Sequence, residues 1–78
     1  MNAPTLPAKI DALGRLWIDD QLLTEAQAIA AVGALGRAAL RCEHTFPAFT
    51  ASLAETAIQI TNAINRRRQW IRAQGERA

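Results

Sequence analysis

The chain is poor in the residues that small proteins use as covalent or metallic staples. Its 78 residues include a single cysteine and a single histidine, so Cys42 cannot close an internal disulfide. Structural zinc takes four nitrogen or sulfur ligands in paired motifs, and Cys42, Glu43 and His44 cannot supply them within one chain. A lone, reduced thiol fits a cytoplasmic protein. Lys9 is the only lysine, and no glycine-rich loop leads into a phosphate ligand, which leaves nucleotide binding without support. The two neighbouring carboxylates, Asp19 and Asp20, project about 100° apart on a helix and do not converge as an acid/base pair. Cys42 and His44 likewise have no orienting third group and no oxyanion hole. No catalytic, cofactor or metal residue is therefore assigned, and the expectation is a protein that is not an enzyme. The N-terminal MNAPTLPAKI has no basic segment leading into an apolar run and a small-residue cleavage site, so no secretory signal is expected.

Tyrosine is absent, and the aromatics are two tryptophans and two phenylalanines. β-Branched residues never cluster, and no segment alternates apolar and polar residues for long. These absences argue against strands and predict an all-α fold. What the chain does have is apolar helix surface. From Ala26 to Leu40 the sequence reads AQAIAAVGALGRAAL, in which only Gln27 and Arg37 are strongly polar. A helix that is apolar around most of its circumference must be covered on several sides. It is too short for a membrane span, is interrupted by Gly33, Gly36 and Arg37, and draws its apolar character mainly from alanine.

Three helices are expected. Pro7 suits a first turn, and Leu6, Ile10, Leu13 and Trp17 recur at intervals of three and four, predicting a helix over 7–20. Thr24 and Gln27 have the capping-box spacing, with Glu25 at the positive end of the dipole, predicting a second helix over 24–42. Pro47 opens a third, whose stripe of Phe49, Leu53, Ala57, Ile60, Ile64 and Ile71 extends it to about Gln74, with Gly75 expected to end it. At 1.5 Å per residue it would be about 40 Å long. Residues 1–6 and 75–78 are expected to be flexible ends of a single domain, an antiparallel bundle or helical hairpin completed by dimerisation. Within the second helix, Ile29, Gly33, Gly36 and Leu40 fall on one side and are the candidate self-association residues, because two glycines invite close backbone approach.

Charge is distributed unevenly although the net value is only +2. Asp11, Asp19, Asp20 and Glu25 dominate the first third, whereas Arg66, Arg67, Arg68, Arg72 and Arg77 crowd the end of the chain. Arginine forks bind phosphate bidentately and a tryptophan can stack on a base, so Arg66, Arg67, Arg68, Trp70 and Arg72 are candidates for binding nucleic acid or a partner. The same residues have ordinary uses: arginines favour a helix C-terminus and Trp70 can close the end of a bundle. Leu23 to Gln27 resembles the opening of a helix-turn-helix unit, but the would-be recognition helix after Gly36 lacks a polar base-reading set. The function expected is thus the binding of another protein, as an adaptor, chaperone-like partner or inhibitor, in the manner of small phage- or mobile-element-encoded inhibitors of a host machine. The alternative is a nucleic-acid-binding accessory protein that uses the basic end.

Overall fold

A computed structural model describes residues 7–77. The extended start and Leu6 of the expected first stripe lie outside the described residues, as does Ala78. Where one amphipathic helix was expected, there are three short strands: β1 (Ala8–Ile10), β2 (Leu16–Ile18) and β3 (Gln21–Leu23). They form an antiparallel sheet in the order β1-β2-β3, followed by α1 (Glu25–Cys42) and α2 (Pro47–Arg77). The fold is α+β, which corrects the all-α, helical-bundle reading.

The reason lies in two turns. Gly14 has φ +75° and Asp19 φ 54°, left-handed conformations that end a right-handed helix and that glycine and aspartate tolerate better than most residues. Asp19 and Asp20 connect β2 to β3, with Ile18 paired to Gln21. Pro7 does not open a helix; its carbonyl accepts from the Asp19 N–H at 2.8 Å. The spacing of Ile10, Leu13 and Trp17 is therefore not a helical stripe. Register pairs Ile10 with Leu16 and Leu16 with Leu23, so these three share the inner face. Lys9, Trp17 and Leu22 form the outer row, because paired residues project to the same side and neighbours along a strand alternate.

Thr24 starts α1 with reciprocal bonds. The Gln27 N–H donates to Thr24 Oγ1 at 3.1 Å and the Thr24 N–H to Gln27 Oε1 at 2.9 Å, an arrangement that contributes about 1 kcal/mol. At the far end the Phe46 N–H bonds the Cys42 carbonyl at 2.7 Å, and Pro47 begins α2, which returns antiparallel to α1. Gly75 does not terminate this helix, which continues to Arg77.

Leu16, Ala28, Ile60, Ala63 and Ile64 form the buried core, with Ala8, Ile10, Ile18, Ala31, Val32 and Leu35 packed around it. The sheet supplies the cover that the surplus apolar surface of the helices demands, but its strands are only three residues long. Across an envelope of 51 × 20 × 14 Å, so small a sheet leaves much of the helical hairpin open.

Candidate partner-binding surfaces

At about 100° per residue, Ile29, Gly33, Gly36 and Leu40 lie within a 60° arc of α1. This arc is turned away from Ala31 and Leu35, which meet the core. Ile29 is 50 % and Leu40 68 % exposed. A Cβ added at Gly36 would meet nothing within 4 Å, and one at Gly33 would meet only the end of the Arg37 side chain. The chain's own elements thus leave this strip open, and neither glycine is needed for packing within it. On α2, Ile58 is also exposed.

The basic residues do not converge on one surface. Arg68 Nε donates to Glu25 Oε1 at 2.8 Å, tying α2 to the first turn of α1. Arg66 reaches the Ala8 carbonyl at 3.4 Å, and Arg72 is exposed. Trp70 is half-buried, with the six-membered part of its indole set against Gly14: a Cβ on Gly14 would lie 2.5 Å from Trp70 Cε3. That ring surface is occupied by the protein itself and is not offered to a base. Arg67 is half-buried at a pocket of about 400 Å³ shared with Trp70, Leu13, Arg15 and Leu22. Arg67 and Arg72 have no acidic partner among the described residues.

The β1–β2 turn beside this pocket is organised by Asp11. Its Oδ1 accepts from the Leu13 and Arg15 N–H groups, both at 2.9 Å. Its Oδ2 accepts from Arg15 Nε at 2.7 Å and Trp17 Nε1 at 2.9 Å. Arg15 also stands over the Trp17 ring, 5.8 Å from its centroid, at cation–π range. The Trp17 hydrogen bond is the largest cause holding the Asp11 carboxyl well below the usual carboxylate range; partial desolvation opposes it, while the Arg15 and Leu13 contacts reinforce it. A folded-state value below the unfolded one stabilises the protein above the ordinary carboxylate pKa of about 3.9, and the contribution is lost as pH falls below that point. Asp11→Asn is therefore expected to be less stable than the parent at neutral pH, yet to lose less between about pH 5 and pH 2. Denaturant titrations followed by tryptophan fluorescence test this, and identical acid limbs for the two proteins would refute it.

Leu13, Leu22 and Arg15 belong to this site although neither charge clustering nor helical spacing points to them. On the expected helical stripe Leu13 would face inward, whereas it is 66 % exposed on the turn, and Leu22 is 54 % exposed on the outer face of the sheet. A usable signal was the Leu22-Leu23 doublet, since on a strand only one of two adjacent residues can face inward. Among the described residues no cluster of three or more His, Cys, Asp or Glu side chains could hold a metal ion, and no helix is long and apolar enough to cross a membrane. Comparison with protein-family models, curated proteins and solved structures finds no match to this chain.

Proposed function

We propose that this chain is a non-enzymatic binding protein of the cytoplasm that acts by holding another protein, as an adaptor or inhibitor, and that it pairs with a second copy through α1. The observation that carries the reading is the open strip of Ile29, Gly33, Gly36 and Leu40. Its large-small-small-large order reads the same from either end, so two antiparallel α1 helices related by a two-fold axis would set Ile29 against Leu40 and Gly33 against Gly36. Nucleic-acid binding is the weaker reading, because Arg68 is tied to Glu25 and the ring of Trp70 is packed on Gly14.

Gly36→Leu separates pairing from folding by the signs of its effects. Within one chain Gly36 is exposed and its Cβ position is open, and the helix gains up to about 1 kcal/mol from the loss of glycine, so thermal stability of the monomer is expected to rise. Between chains it overfills a close contact and weakens association. Light scattering is expected to give twice the monomer mass for the parent and a monomer for Gly36→Leu. A parent that stays monomeric at high micromolar concentration removes the dimer from the proposal. For the function as a whole, affinity capture from the native cell with and without nuclease is decisive: the expected result is a stoichiometric protein retained after nuclease treatment, and a partner lost with nuclease reverses the order of the two readings.

A further inference from the structure

We propose that the pocket between the β1–β2 turn, β3 and α2 receives an acidic segment of a protein partner, with one bulky apolar side chain seated between Leu13 and Leu22 and a carboxylate on Arg67. The inference rests on the reading that this chain works by holding another protein, and it assigns the chemistry that one of its surfaces recognises. Three observations converge on it. Leu13 and Leu22, 66 % and 54 % exposed, both line the same opening of about 400 Å³. Buried Leu16 and the indole of Trp70, which is braced by Gly14, give the pocket a firm apolar base, the setting in which interface anchors contribute most.

Charge supplies the third observation. Of the ionic groups lining the pocket, Arg15 is engaged by Asp11 at 2.7 Å and Glu25 by Arg68 at 2.8 Å. Arg67 alone is left without an opposite charge among the described residues. The two ion pairs compensate internally and Arg67 gives the pocket its sign, so a matching partner carries negative charge beside its apolar anchor. A nucleic acid would also answer to the charge, but it would have no use for two exposed leucines.

Fluorescence anisotropy tests the proposal with a short labelled peptide of glutamate and serine carrying one central leucine. The controls are the same peptide with glutamine for glutamate, the same peptide with alanine for leucine, and labelled oligothymidine and duplex DNA. The expected result is binding of the acidic leucine peptide, weakened about tenfold or more by either peptide change, by Arg67→Gln or Arg67→Glu, and by Leu13→Ser with Leu22→Ser. The substituted residues are at or near the surface, and circular dichroism checks that each variant keeps the parent's helix content. Ala51→Ser, exposed on α2 and outside the pocket lining, is expected to leave peptide affinity unchanged; a comparable loss there would overturn the pocket, while a nuclease-resistant protein partner in the affinity capture would spare the wider protein-binding reading. Absence of peptide binding at millimolar protein, equal binding of the glutamine peptide, or indifference to both Arg67 variants overturns the pocket. DNA binding that is tighter than peptide binding and lost with Arg67→Glu overturns both readings together.

Discussion

Gly14→Ala is expected to cost about 2 to 5 kcal/mol, a large share of what a domain this small can have. Two independent terms add. A non-glycine residue at φ +75° carries a penalty of about 1 to 2 kcal/mol. The new methyl would lie 2.5 Å from Trp70 Cε3, and relieving such overpacking costs about 1 to 3 kcal/mol. The terms separate in a double-mutant cycle. In a Trp70→Leu background the six-membered ring is gone, so Gly14→Ala should cost only the backbone part, about 1 to 2 kcal/mol. Equal costs in both backgrounds, measured by denaturant unfolding, would mean that the Gly14–Trp70 contact does not form.

Leu16→Ala is expected to have a comparable effect for a different reason. Leu16 is 1 % exposed, lies at the centre of the sheet between Ile10 and Leu23, and joins strand and helices in one core with Ile60 and Ile64. Truncating a buried leucine removes its transfer free energy and leaves a cavity, about 2 to 5 kcal/mol in total. The variant should be largely unfolded or highly dynamic at room temperature, seen as loss of helical circular dichroism and collapse of amide-exchange protection in both helices. Retention of the full helical signal would mean that the helical hairpin stands without the sheet.

These two residues also mark where the sequence was readable and where it was not. The capping pair of Thr24 and Gln27 is a local signal: both partners and both bonds lie within one turn, so spacing alone was sufficient to place the start of α1. The stripe on α2 was readable at its centre, where Ile60 and Ile64 are buried, but not at its ends, where Phe49 and Ile71 are exposed. The sheet was not, because a three-residue strand such as Leu16-Trp17-Ile18 is too short for alternation to register, while Ile10, Leu13 and Trp17 happen to fall at helical intervals. The better clues were Gly14 and the Asp19-Asp20 pair, both turn formers inside a supposed helix. At the basic end, the excess of arginine was plain but its distribution was not. Arg68 meets Glu25 across 43 positions of sequence, and only the tertiary fold decides which guanidinium is left over.

The meeting of Arg66 with the Ala8 carbonyl, 58 positions apart, and of Trp70 with Gly14 sets the order in which the molecule can be built. Strands of this length are not stable alone, and α1 by itself cannot cover Leu16, Ile10 and Ile18. On the ribosome all of these emerge before the segment of α2 that covers them. At about 5 to 20 residues per second, the nascent chain spends seconds with Ile10, Leu16 and Ile18 uncovered. The native state is thus reached by a late ring closure, in which the second half of α2 folds back over the sheet. Any trigger that holds α2 away, such as a chaperone or a stalled ribosome, would hold the whole protein in its adhesive, unfinished form.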